Sequence, residues 1–342
     1  MRIAVWVASI SLACAAPVTG QQGDRIGHVD LFGTRGANLA AMASALRSIE
    51  GGRGPSSAAE HSALLERISV IVKEQTGRPP TDVAMVCCDE HGAWTIYIGL
   101  AAEGSAPLRY APTPRGSDML PAAVEQAYDD VMRALDGAVR QDASEDHKEG
   151  YALSSDPKLR RAQLALRDAA IASEKPLYRV LAGADDPGQR AAAAYALGYA
   201  PASKRQIAAL IAASRDADDG TRNNAVRSLW VLADSAQPAA RDIPFDPFIS
   251  LLTSGRWSDR NKGLLLVSTL SERRSRALLD RVRREAQFEL IEMARWRVRG
   301  HSDPARLLLG RVAGIPDARI AQLIEAGDVD AIVAAATSGK RP

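Results

Sequence analysis

The spacing of apolar residues changes character twice along the chain. Ile26, Val29 and Leu31 form a short β-prone run that stops at Gly33. Asn38 then precedes Leu39, Met42, Ala43, Leu46 and Ile49, a spacing that predicts an N-capped helix. Residues 51–57 are rich in glycine, proline and serine and read as a loop. Leu64, Leu65, Ile68, Ile71 and Val72 predict a second amphipathic helix, stopped by Gly77, Pro79 and Pro80. Residues 83–88 and 94–100 flank Asp89-Glu90-His91-Gly92 and predict a β-hairpin. Pro107, Pro112 and Pro114 mark residues 104–118 as a linker. Val124, Tyr128, Val131, Met132 and Leu135 then predict a helix over 121–140, within a connecting segment 119–155. Residues 141–149 are acidic and polar, and read as a solvated loop. From about 156 to 338 nothing reads as strand. The expected fold class is mostly α: a small α+β domain at 24–103, then an α-solenoid over 156–338.

Self-comparison of the second half shows why a solenoid is expected. Asp186-Pro187-Gly188-Gln189-Arg190 leads into a helix in which Ala193 and Leu197 follow the arginine at three and seven residues. Asp218-Asp219-Gly220-Thr221-Arg222 does the same with Ala225 and Leu229, and Arg260 with Gly263 and Val267. A fourth copy is placed at Asp303-Pro304-Ala305-Arg306, with Leu309 and Ala313. Asp186 and Asp218 are suited to capping, Pro187 to a first helical turn, and the small residues to close helix approach. Residues 204–214 and 246–253 carry the apolar residues of partner helices. The arginines are 32, then 38, then 46 residues apart, so the array is irregular.

These segments resemble HEAT repeats, in particular the variety found in phycobilisome-lyase-like proteins. The resemblance implies stacked helix pairs and a structural arginine that bonds acidic groups or carbonyls of the neighbouring repeat. The strand-helix-helix-strand-strand order of 24–103 is similar to POTRA-type domains of bacterial envelope proteins. That resemblance implies binding of peptides or neighbouring domains by strand addition.

Arg2, the apolar run 3–12 and the small residues Ala13, Ala15, Ala16 and Gly20 predict a secretory signal over 1–20. Ser11-Leu12-Ala13-Cys14 gives an alternative, a lipobox with Cys14 lipidated; without lipidation, no membrane association is expected. The expected location is the periplasm or outside the cell. Cys87 and Cys88 read first as ordinary thiols, one buried and one exposed. A vicinal disulfide is the alternative in an oxidising compartment, and a metal site lacks the usual ligand spacing.

Charge alters the picture little overall but much locally. A net charge of +2 with 25% charged residues gives no global field for nucleic acid. Residues 272–301, however, concentrate arginines around Trp296. Arg281, Arg284, Arg295, Trp296 and Arg299 are the candidate partner-binding residues, suited to an acidic peptide or polysaccharide. The competing reading is a solvated helix face laced with weak ion pairs. Trp230 and Trp257 read as core or groove-lining residues. The five histidines are scattered, and there is no HExxH, GxSxG, P-loop or GxGxxG pattern. No cofactor is expected. The expected function is an exported, non-enzymatic scaffold that binds a protein in the cell envelope through its solenoid face. The alternative is a small-molecule-binding or lyase-like enzyme with a cleft in the solenoid.

Overall fold

The computed structural model describes residues 25–89, 91–101, 108–141 and 143–338. The expected signal segment 1–20, Cys14, Glu90 of the hairpin and residues 104–107 of the linker lie outside the described residues.

The N-terminal region is a three-stranded sheet with two helices. Strand β1 (Ile26–Phe32) precedes α1 (Leu39–Leu46) and α2 (Ala58–Thr76), and β2 (Asp82–Val86) and β3 (Trp94–Gly99) complete the sheet. The order is β1-β3-β2, with β1 parallel to β3 and β2 antiparallel to it. Asn38 and Ser57 cap α1 and α2 as their positions predict. Ile26, Met42, Leu46, Ile68, Val72, Ile96 and Ile98 close a core between sheet and helices. Gly33 has φ +66, and a Cβ there would lie 2.4 Å from the Leu100 carbonyl oxygen, so glycine alone fits this turn.

From residue 157 to 338 the chain is helix joined by short turns. Helix α3 (Ala122–Arg140) packs along α4 (Pro157–Ala172), with the small ladder of β4 (Glu145–Asp146) and β5 (Leu153–Ser154) between them in sequence. The array continues as α5 (Glu174–Gly183), α6 (Pro187–Leu197), α7 (Lys204–Ala213), α8 (Asp219–Asp234), α9 (Asp246–Ile249), α10 (Trp257–Leu270), α11 (Arg276–Ala294), α12 (Arg299–Val312), α13 (Asp317–Glu325) and α14 (Val329–Thr337). Helices α6, α8, α10, α12 and α14 pack in sequence as one row, with α5, α7, α9, α11 and α13 paired against it. The protein is therefore mostly α: a helical-repeat solenoid with a small N-terminal α+β region.

The repeat register explains the row. The first helical position sits one residue after Asp186, Asp218, Arg256 and Val298, and the residue four after each cap is Arg190, Arg222, Arg260 and Ser302. Counting on by three gives Ala193, Ala225, Gly263 and Ala305; counting on by seven gives Leu197, Leu229, Val267 and Leu309. All eight are buried. The fourth copy thus starts at Ser302, four residues before the Arg306 expected from sequence. Arg306 bonds the Ala294 and Trp296 carbonyls at separations of 12 and 10, unlike the other arginines. The array also begins earlier: Asp156-Pro157 caps α4, and Arg160 donates to the Ser154 carbonyl six residues back. That matches the bond Arg190 makes to Ala184.

Candidate functional site

Three recurring arginines form a ladder. Arg190 donates from Nε and Nη2 to the two Asp216 carboxylate oxygens, both at 2.8 Å, and from Nη1 to the Ala184 and Asp185 carbonyls. Arg222 repeats this on Asp259, at 2.8 and 3.4 Å, and on the Asp216 and Ala217 carbonyls. Arg260 bonds the Ser254 carbonyl and, at 2.9 Å, Glu292. Each guanidinium thus ties its own preceding turn to an acid of the next repeat. The planar fork of arginine meets both at once, which a lysine does not. These arginines are structural, the role the HEAT resemblance implies.

The last rung also holds the N-terminal region. Glu292 accepts from the Gly33 and Thr34 backbone N–H groups at 3.1 and 2.6 Å, and from the Thr34 hydroxyl. Arg297 bonds Asp30, Glu50 and the Val29 carbonyl. The first turns of α10 and α12 show why the sheet docks there. Arg256 and Val298 occupy their N-cap positions and give no side-chain cap, whereas Asp186 and Asp218 cap α6 and α8. Asp82 of β2 accepts from the Trp257 N–H at 2.7 Å, and Asp30 of β1 from the Arg297 N–H at 2.9 Å. Asp82 thus supplies an acceptor to the first N–H of α10, which lacks a cap of its own, while Asp30 holds the residue just before the α12 N-cap.

Aromatic rings fill the centre of this seam. Tyr97 stacks on Trp257 with centroids 5.1 Å apart and tilts against Trp296 at 4.9 Å. Its oxygen is 2.5 Å from His301 Nδ1. Burial, reinforced by the charge of nearby Lys262, pushes His301 down to about 3, so the ring is neutral at physiological pH. Burial likewise lowers the Lys262 ammonium to about 7, with Arg227 adding to the effect and Glu145 opposing it. Farther along the row, Glu145 is not a solvated residue of an acidic loop. It receives Arg227 Nη2 at 2.6 and 2.7 Å; burial would raise its pKa, but Arg227 and His147 outweigh that and bring it to about 2. Tyr110 of the linker lies over the Arg222 guanidinium at 4.0 Å and donates to Asp259.

The five candidate residues do not form one patch. Trp296 is 2% exposed, edge-on to Phe32, and its Nε1–H donates to the Leu31 carbonyl; it belongs to the seam. Sequence places it among surface arginines because Leu31 and Phe32, which hold it, lie more than 260 residues away. Arg281 is paired with Asp246 and Glu285, Arg295 with Asp330 and Arg299 with Asp303. Arg284 is exposed and, among the described residues, in no ion pair. It lines a recess of about 340 Å³ on α11, together with Arg283 and with Arg35 from the turn after β1. Arg35 had no signal in sequence, since nothing around residue 35 marks it as facing α11.

Trp230 and Trp257 are buried as core residues. Cys87 and Cys88 are both half-buried, not one buried and one exposed, and their sulfurs face each other as a vicinal pair. Among the described residues, no cluster of three or more potential metal ligands is found, and no helix is long and apolar enough to cross a membrane.

No family model matches the chain, and no curated protein is similar to it in sequence. Among solved structures, a designed armadillo repeat protein in complex with a (KR)4 peptide is 15% identical, with 64% of this chain and 98% of that one covered and a TM-score of 0.38. Computationally designed armadillo repeat proteins for modular peptide recognition give 16% identity, coverage of 65% and 100%, and a TM-score of 0.37. A further designed armadillo repeat protein gives 15%, 54% and 95%, and 0.36. The repeat array itself rests on this chain's own packing, in which four successive row helices share one register of Arg or Ser, small, and Leu or Val.

Proposed function

We propose that the protein is a non-enzymatic scaffold that holds a protein partner on the outer, arginine-rich face of its array. The observation that carries this reading is the occupancy of the row. Helix α3 and Tyr151 cover α6, the 145–147 segment covers α8, and the sheet covers α10 and α12. Residues 259–268 of α10 are buried without a break. The surface along which a repeat array would ordinarily take a peptide is filled by the chain itself. Charge left over for a partner is on α11 instead, at Arg284 beside Arg283 and Arg35. Export to the cell envelope is part of the proposal, supported by the 1–20 pattern. The HEAT-like reading of the repeats and the POTRA-like reading of the N-terminal region agree with such a role.

The test is retrieval of partners from an envelope fraction with the full chain as bait. A specific protein is expected, retained at moderate salt and lost at high salt. Retrieval of nothing above background by the full chain would overturn the scaffold reading.

A further inference from the structure

The recess on α11 has the chemistry of a docking site for one kind of segment, and this inference rests on the scaffold reading above. Its charges are three arginines, Arg35, Arg283 and Arg284, against two glutamates. Both glutamates are already engaged: Glu289 by Arg35 at 3.3 Å, and Glu285 by Arg281 at 3.0 Å. Arg283 donates from Nη2 to the Val312 carbonyl, while its Nε–H is buried without a partner. Arg284 is exposed and unpaired among the described residues. The Arg284 guanidinium, beside Arg283, therefore keeps donors that no acid among the described residues uses.

The floor beside them is apolar. Phe288 and Ile291 follow Arg284 at four and seven residues, so they share its face of the helix, and both are partly exposed. The Arg35 guanidinium lies 4.4 Å from the Phe288 ring centroid and closes the recess on the side of the N-terminal region. Arg295 continues the same stripe one turn beyond Ile291. A carboxylate can meet Arg284 through two parallel hydrogen bonds, and an apolar side chain next to it can cover Phe288 and Ile291.

We infer that this recess binds a protein partner through an acidic residue flanked by an apolar one. Arg284 takes the carboxylate, Arg35 and Arg283 add positive field, and Phe288 with Ile291 receives the apolar neighbour. Because Arg35 comes from residues before the array, the recess is complete only when the N-terminal region is docked.

The inference is tested with the full chain and a short fluorescein-labelled peptide carrying Glu-Leu pairs, read by anisotropy. Its Gln-Leu counterpart and inorganic phosphate are the comparison probes. Binding of the Glu-Leu peptide is expected, with a loss on the order of tenfold or more for Arg284→Ala and for the Gln-Leu peptide. Arg284→Lys is expected to fall between, because it keeps the charge and loses the fork. An unchanged melting temperature confirms that Arg284→Ala folds, and the residue's exposure makes that the expected result. No binding of the Glu-Leu peptide, equal binding by wild type and Arg284→Ala, or equal competition by phosphate each overturns the inference. The two readings fail separately: if Arg284→Glu still retrieves the wild-type envelope partner, the recess is wrong and the scaffold stands.

Discussion

Buried arginines are costly residues unless their donors are used, and Arg190 and Arg222 each use four of five. Arg222 and Asp259 are both buried, so removing the negative partner strands a desolvated cation. Asp259→Asn is expected to lower stability by about 3–5 kcal/mol in urea unfolding. The exposed pair of Arg133 with Asp130 sets the scale from the other side. Arg133→Ala should change stability by less than about 1 kcal/mol, because water already solvates both charges. The ladder was legible in sequence because its parts are local: a capping acid, an arginine four residues on, then the small and large apolar positions. Arg160 carries the same signal in Asp156-Pro157-Lys158-Leu159-Arg160, although Gln163 and Arg167 follow it instead of a small residue and leucine. The fourth copy was misplaced because Ser302 stands where the others have arginine. The nearby Arg306 offered itself instead.

Helix packing gives a contrast between two glycines. Gly263 in α10 faces α9 and the turn that follows it, and a Cβ there would sit 2.6 Å from the Leu251 Cβ. Gly137 in α3 has nothing within 4 Å of the same atom. Alanine improves helix propensity at either site by about 1 kcal/mol, while overpacking costs about 1–3 kcal/mol. Gly137→Ala should therefore raise the melting temperature, and Gly263→Ala should lower it. The helix-helix role of position 263 was readable from its place in the repeat. That of the seam was not, because α10 and α12 simply lack caps, and nothing near them in sequence names Asp82 as the acceptor for α10 or Asp30 as the partner of the turn before α12. A missing cap in an otherwise capped series is the signal that could have pointed to a docked neighbour.

At the scale of the whole molecule, docking the sheet places titratable groups in low dielectric, and acid should loosen it. His301 takes a proton near 6.5 when exposed and near 3 when buried. The unfolded or undocked state therefore binds the proton first, and stability is lost as pH falls from about 6.5 to about 3. Glu145, lowered from 4.5 to about 2, adds a loss in the same direction at the acid end of that window. Thermal melts from pH 7 to 4 should show a steady fall for wild type and a shallower one for His301→Gln. Parallel curves would show that His301 is not the sensor. Hydrogen exchange gives a second check on the seam: Glu292→Ala should speed exchange at Gly33 and Thr34, whose N–H groups it now accepts.

Glu292 also bears on how long the array is able to be. A repeat protein whose units touch only their neighbours tolerates gain or loss of a unit, because no distant contact counts the units. Here the final acid of the ladder must reach residues 33 and 34 while Arg260 still reaches it. The segment joining the sheet to α3 is held to earlier repeats on its way, Ala111 N–H by the Arg215 carbonyl and Gly116 N–H by the Gly183 carbonyl, so one helix pair inserted between α8 and α10 would carry the sheet's seat about 8–10 Å from a connection of fixed length. The sheet measures the solenoid as a gauge block measures a gap. A copy of this protein with a helix pair added there should seat its N-terminal region only if that connection lengthens too, so repeat number and connection length have to change together.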